Sequence, residues 1–193
     1  MNETNRIKDN VVYVLRKGEP EETMRVVDTK IVAVLQKADG QVEVHETKNI
    51  VTTAGDTYYA QRGVGTTPTN FNSAGVFNGK AFLSQTTGTP TKSDNYSTIS
   101  ATIQNGTGNS VASTYPKTND TDIDNTGAGP TVITYLYTFS TGNTYTNVAD
   151  VSIAGNAPTG TDPLLMRAKF ASTFTKATTD TLKVFVNHTM NGQ

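Results

Sequence analysis

The chain has 193 residues, and its 16 Lys and Arg against 17 Asp and Glu leave no net field to draw it to nucleic acid or an anionic membrane. It contains no cysteine, which excludes a disulfide framework, thiolate metal sites and cysteine nucleophiles. Thr, Asn, Gly, Ser and Pro supply 85 of the 193 residues and hydrophobic side chains only 35%, a composition suited to strands and turns around a thin core.

Charge is unevenly placed: residues 1–50 hold 17 charged side chains and the other 143 positions hold 16. This predicts a charged N-terminal β arm for attachment over residues 1–48 and a β-sandwich domain over 49–193. The start, Met1 to Asp9, mixes both signs without an apolar stretch, so no secretory signal is expected. The longest apolar runs, such as Val11 to Leu15, fall far short of a membrane span, and synthesis and folding in a cytoplasm are expected.

Val11 to Leu15 reads as a strand and Gly18 to Glu21 as a turn. Thr23 to Gln36 reads as a longer strand, with Val27, Ile31, Ala33 and Leu35 on one face and Val26, Val32 and Val34 on the other. Lys37-Ala38-Asp39-Gly40 then turns the chain into Gln41 to Glu46, and an Asp-Gly turn between alternating runs predicts a hairpin.

Ile50, Ala54 and Tyr58 recur every four residues, predicting a short helix over Asn49 to Arg62, capped by Asn49, closed by Gly63 and weakened by Gly55. Residues 63–79 read as loop, Lys80 to Ser84 as a buried strand, and Ser97 to Ile103 as a short strand within the loop-rich 85–130.

In the last third, Ile133, Tyr135, Tyr137 and Phe139 share one face of a strand over 131–140. Leu164, Met166, Ala168, Phe170 and Phe174 face one way in the next, with Arg167, Lys169, Thr173 and Thr175 opposite. A polar turn over 176–180 leads to a strand carrying Leu182, Val184, Val186 and Met190, so the two strands are expected to pair as an antiparallel hairpin.

Chemistry is sparse. The two histidines, His45 and His188, lie inside predicted strands with no Gly-x-Ser-x-Gly elbow anywhere, and read as ordinary strand residues. Asp120, Asp122 and Asp124 would converge from an extended segment as hard oxygen ligands suited to Ca²⁺, and no other cofactor is expected. The EF-hand pattern fails there, because its sixth position is Asn125 and its twelfth Thr131; the competing reading is an exposed acidic loop. Tyr58, Tyr59, Tyr96, Tyr115, Tyr135, Tyr137 and Tyr145 offer a possible carbohydrate-stacking surface, against the reading of half-buried strand residues.

Two segments carry a resemblance. Asn49-Ile50-Val51-Thr52-Thr53-Ala54-Gly55-Asp56-Thr57-Tyr58-Tyr59-Ala60 resembles the N-[LI]-V-x-x-A-G-x-x-x-[LY] segment of small tailed-phage virion proteins. Leu164 to Phe170, followed by Phe174 to Val184, is similar to their closing "LL-x-R-x-x-F" and "F-x-K-x-x-x-D-T-L-x-[VI]" strands. The likeness spans residues 45–190 in outline and implies a β-sandwich virion module without enzymatic activity or catalytic residues; residues 1–44 depart from it.

The expectation is thus an all-β chain: an antiparallel β-sandwich, jelly-roll-like, with one short helix and an N-terminal β-hairpin extension. The function expected is a phage capsid auxiliary (decoration) protein that stabilises the head lattice. Its partners would be the major capsid protein or other virion proteins and copies of itself, with no nucleic acid and no membrane. A tail, collar, baseplate or short-fibre subunit is the first alternative and a carbohydrate-binding adhesin module the second. A polysaccharide depolymerase lacks a placed pair of carboxylates. Removal of residues 1–44 is expected to leave a folded sandwich that no longer binds heads.

Overall fold

Alternation of apolar and polar side chains makes most of this chain extended, with one face turned inward. The computed structural model describes residues 6–8, 11–13, 25–73, 76–85, 88–105, 111–112, 123–124 and 131–191. The strands are β1 (Arg6–Lys8), β2 (Val11–Tyr13), β3 (Arg25–Gln36), β4 (Val42–Thr47), β5 (Asn49–Val51), β6 (Asn72–Ser73) and β7 (Val76–Phe77). They continue as β8 (Lys80–Ser84), β9 (Val111–Ala112), β10 (Ile123–Asp124), β11 (Thr131–Phe139), β12 (Tyr145–Ala154), β13 (Leu164–Lys176) and β14 (Thr181–Asn191). Two helices, α1 (Thr53–Gly63) and α2 (Tyr96–Ser100), interrupt them.

Sheet I has the order β10-β11-β14-β3-β4 and sheet II the order β5-β13-β12-β8-β9. Every pairing in both is antiparallel, and the two pack face to face as an all-β sandwich. Sheet I sends Ile31, Ala33, Leu35, Tyr135, Tyr137, Phe139, Leu182, Val184 and Val186 into the core. Sheet II answers with Leu83, Val151, Ile153, Met166, Ala168, Phe170 and Phe174. These are the faces that period-2 alternation predicts for β3, β11 and β14, and each large side chain so buried contributes about 1.5–3 kcal/mol.

The boundary expected at residue 48 does not separate an arm from a sandwich. β3 lies between β14 and β4 and pairs with β14 from Thr181↔Gln36 to Asn191↔Arg25. Asp28, Lys30 and Glu46 sit on the side of β3 and β4 turned away from the core, and Glu43 lies half-buried at the sheet's edge, so charge density there mimics a solvated arm. Deleting residues 1–44 would therefore remove β3 and unfold sheet I. The β3–β4 hairpin does form, closed by Lys37 donating its amide to the Gln41 carbonyl and by Gly40 at φ 86. It belongs to sheet I rather than extending from the sandwich, whereas β1 and β2 pair with each other. The turn expected over 18–21 lies outside the described residues.

The hairpin expected between β13 and β14 is overturned. β13 pairs with β12 and β5 in sheet II, and β14 pairs with β11 and β3 in sheet I. Residues 177–180 thus carry the chain from one sheet to the other. Asp180 secures the crossing: its carboxylate accepts from the amides of Ala177 (2.9 Å) and of Ala38 (3.3 Å) in the β3–β4 turn. Lys176, fully buried, donates to the carbonyls of Asn143 (3.0 Å) and Ala177 (3.2 Å).

The opposite corner is made by one strand that changes sheets. β4 pairs with β3, Lys48 breaks the run, and β5 pairs with β13. The helix therefore begins later than its apolar spacing predicts: Asn49 to Val51 are strand, and Thr52 caps α1 by accepting from the Gly55 amide at 3.1 Å. Gly55 does not weaken α1 as expected of an interior glycine. A Cβ there would collide with the Leu165 carbonyl and the Val51 side chain, so glycine lets the helix lie directly on the sheet.

The strand expected over 97–103 is instead α2, opened by a capping box in which Asn95 and Thr98 satisfy each other's backbone amides. Among the described residues there are thus two helices where one was expected. Phe82, Tyr96, Ile99, Ala154 and Leu164 form a second apolar cluster under α2. Leu164, expected in the main core, belongs to this cluster; the β12–β13 register shifts between Ile153 and Ala154 beside it.

Candidate functional site

Two groups of polar side chains and one bare surface are where this fold concentrates chemistry. His188, on the core face of β14, is completely buried. Asn49 lies with Nδ2 2.9 Å from its Nε2, and the Tyr59 hydroxyl stands 2.5 Å from its Nδ1. Tyr59 in turn donates to the Tyr135 hydroxyl at 3.3 Å. If Asn49 donates to Nε2, the ring proton sits on Nδ1 and is given to Tyr59, so each hydrogen in the chain has one acceptor. Burial holds the imidazole pKa down to about 3 and pushes the Tyr135 hydroxyl up. The network is neutral and sealed, and it ties α1 and β5 to sheet I.

The second group lies on the outer face of sheet II. Arg167, expected on the polar side of β13, is on that side but almost wholly buried. Its Nε donates to Asp150 at 2.6 Å, one terminal nitrogen to Asp94 at 2.8 Å and the other to the Gly88 carbonyl at 2.9 Å. Ser152 completes the shell by donating to Asp150 at 3.0 Å. Burial pushes the Asp150 carboxyl up to about 6 despite the pull of Arg167. Burial also raises Asp94, but hydrogen bonds from Thr91 and Arg167 outweigh it and leave that carboxyl below its ordinary value. Arg167 therefore clamps the segment bearing Gly88 and Asp94 onto the sheet. A charge inside an apolar run, Arg167 in Leu164 to Ala168 and Asp150 in Val148 to Ala154, is the sequence signal for such a pair.

The outer face of sheet I is different. Its register aligns Leu136, Phe185, Val32 and Glu46 in one row and Thr138, Lys183, Val34 and Val44 in the next. Val42 and Val44 are 58% and 55% exposed, and Val32, Val34, Phe185 and Leu136 are half-buried. Ion pairs Lys30–Glu46 (3.1 Å) and Lys48–Asp28 (3.7 Å) border the apolar area.

Of the residues singled out in the sequence, His188 is buried in the network with Asn49 and Tyr59. His45 stacks on Phe174 with ring centroids 4.2 Å apart. Asp120 and Asp122 lie outside the described residues, and of Asp124 the backbone alone is described, in β10. Among the described residues no group of His, Asp and Glu is arranged to hold a metal ion. Tyr58, Tyr59, Tyr96, Tyr135, Tyr137 and Tyr145 are all buried, so their rings form no stacking platform for a sugar; Tyr115 lies outside the described residues. No helix among the described residues is long and apolar enough to cross a membrane. No family model, curated protein or solved structure matches the chain.

Proposed function

We propose that this chain is a non-enzymatic structural protein of a tailed-phage virion, a capsid auxiliary protein that binds the head lattice from outside and stabilises it. The observation that carries this reading is where the two resembling segments, 49–60 and 164–184, lie in the fold. They are packed on one another: Val51 pairs with Met166, the Thr52 amide donates to the Leu165 carbonyl at 3.1 Å, and Gly55 rests on that same carbonyl. Asn49 and Tyr59 from the first segment hold His188, just beyond the second. Residues recurring in such segments for framework reasons fit a module whose task is to be a stable shape.

Val42 and Val44, exposed on the outer face of sheet I, support docking against a larger surface, since exposed apolar side chains grouped this way mark protein contacts. The partners in this reading are the major capsid protein or neighbouring virion proteins. Immunogold labelling of intact virions tests it: label over the whole head at lattice-scale copy number supports a capsid auxiliary protein. Label confined to the tail tip or collar, at a few copies per particle, moves the chain to the tail. Virions without label overturn the reading.

A further inference from the structure

We propose that the free edge of β4 pairs with the β4 edge of a second copy, antiparallel about a two-fold axis, with Val44 opposite Val44. Among the described residues β4 is the last strand of sheet I and its backbone pairs with β3 alone, while the Thr47 hydroxyl donates to the Lys169 carbonyl of β13 at 2.7 Å. Because Lys37 donates to Gln41, residues 37 and 41 form a hydrogen-bonded pair, and alternation makes Leu35–Glu43, Ala33–His45 and Ile31–Thr47 the next ones. Val42, Val44 and Glu46 therefore turn their N–H and C=O groups outward, to the open edge, as a strand of matching polarity requires.

Charge selects the occupant and the register. Only a second copy offers the same Val-Glu-Val-His-Glu sequence running the other way, and a two-fold contact is self-complementary. With Val44 on the axis, Val42 faces Glu46 of the second copy, and Glu43 faces His45 of the second copy twice over. A two-residue slip in one direction sets Glu43 against Glu43; a slip in the other sets His45 against His45 and Val44 against Glu46. The first slip sets like charges directly opposite, and the second gives up both Glu43–His45 contacts, so the central register is the favoured one.

His45 supplies a second, independent reason. Its Nε2 is buried yet makes no hydrogen bond, and its own Glu43 lies 3.7 Å away, beyond hydrogen-bond reach. The other oxygen of Glu43 is engaged by Lys37. In the proposed register Glu43 of the second copy stands directly across from His45 and offers that nitrogen a carboxylate partner. Charged edge residues ordinarily discourage strand addition; in this register alone they become matched pairs. The inference stands apart from the virion reading, because it concerns the purified chain.

Edge pairing covers a small area, so a dimer with a micromolar dissociation constant is expected. Sedimentation velocity at roughly 100 µM should give a mass twice that of the chain, falling to the monomer on dilution. Val44→Pro removes an N–H that faces the open edge and none that faces β3, so the variant should stay folded by near-UV circular dichroism and sediment as a monomer. The chain has no cysteine, so Val44→Cys places one thiol on the proposed axis, and a short bis-maleimide should cross-link it at least about tenfold faster than Val64→Cys on the exposed end of α1. This second test holds even if the proline variant does not fold. A monomer at the highest concentration, a mass beyond the dimer, or equal cross-linking of the two cysteine variants overturns the proposal.

Discussion

The two outer faces of this sandwich use the same antiparallel scaffold and end in opposite states. On sheet II, α2 and the segment around Gly88 and Asp94 lie over the strands, and Phe82, Ser84, Asp150, Ser152 and Arg167 are buried beneath them. On sheet I, Val42 and Val44 remain open to solvent. The lesson is that a covered face is held by a charge clamp as well as by apolar contact. Arg167 reaches three groups at once, and its removal leaves two carboxylates without their cation.

The comparison is broken hardest at that clamp. Arg167→Ala strands Asp150 in a dry site and should lower stability by roughly 3–5 kcal/mol in urea unfolding, with amide exchange rising first over residues 88–105. A loss below about 1 kcal/mol would mean that the covering layer rests on Phe82 and Ile99 alone. Next in size is a matched pair of truncations. Phe82→Ala, under α2, should cost at least about 3 kcal/mol, whereas Phe185→Ala, half-buried on the bare face, should cost about 1 kcal/mol or less. Equal losses would erase the distinction between the faces.

Acid sharpens it further, because two buried groups titrate with opposite signs. Asp150 is raised to about 6 from 3.8, so the folded chain holds a proton in this window that the unfolded chain lacks. Its contribution is present below about pH 4 and is lost as pH rises through 6. His188 is lowered to about 3 from 6.5, so its contribution is full above pH 6.5 and is lost as pH falls toward 3. Between pH 4 and 6 the two slopes oppose each other. Asp150→Asn removes one of them, and urea midpoints should then fall with acid more steeply than in the parent chain, by up to about 1.4 kcal/mol per pH unit. Parallel pH profiles would contradict the burial of Asp150. The smallest effect is expected at Val44→Lys, on the bare face, where monomer stability should move by no more than about 0.5 kcal/mol.

Local features of this fold were legible in the residues. Alternation along Ile31, Ala33 and Leu35, and along Tyr135, Tyr137 and Phe139, identified buried faces correctly, and Asp39-Gly40 identified a hairpin. Pairing between strands was not legible. β13 and β14 each alternate cleanly around a short polar loop, and the same pattern serves a hairpin within one sheet or a crossing between two. Nor does alternation reveal a third layer: it put Arg167 on the side away from the core without showing that this side is covered. α2 escaped notice because its apolar residues Tyr96 and Ile99 are too few to display a helical period, and its evidence lay in the Asn95–Thr98 cap. The acidic positions Asp120 and Asp122 fall outside the described residues, so their candidate role is carried only by the sequence.

The crossing at residues 177–180 has a consequence for the order in which the chain can fold. β14 is the middle strand of sheet I, flanked by β11 and by β3, which is synthesised about 150 residues earlier. Until β14 leaves the ribosome, β3 and β11 have no common neighbour, and their apolar faces must wait. Pairing across such sequence distances is slow, because loop closure is costly before any contact rewards it. During that wait, β3 and its hairpin partner β4 hold an apolar face that β14 has yet to flank.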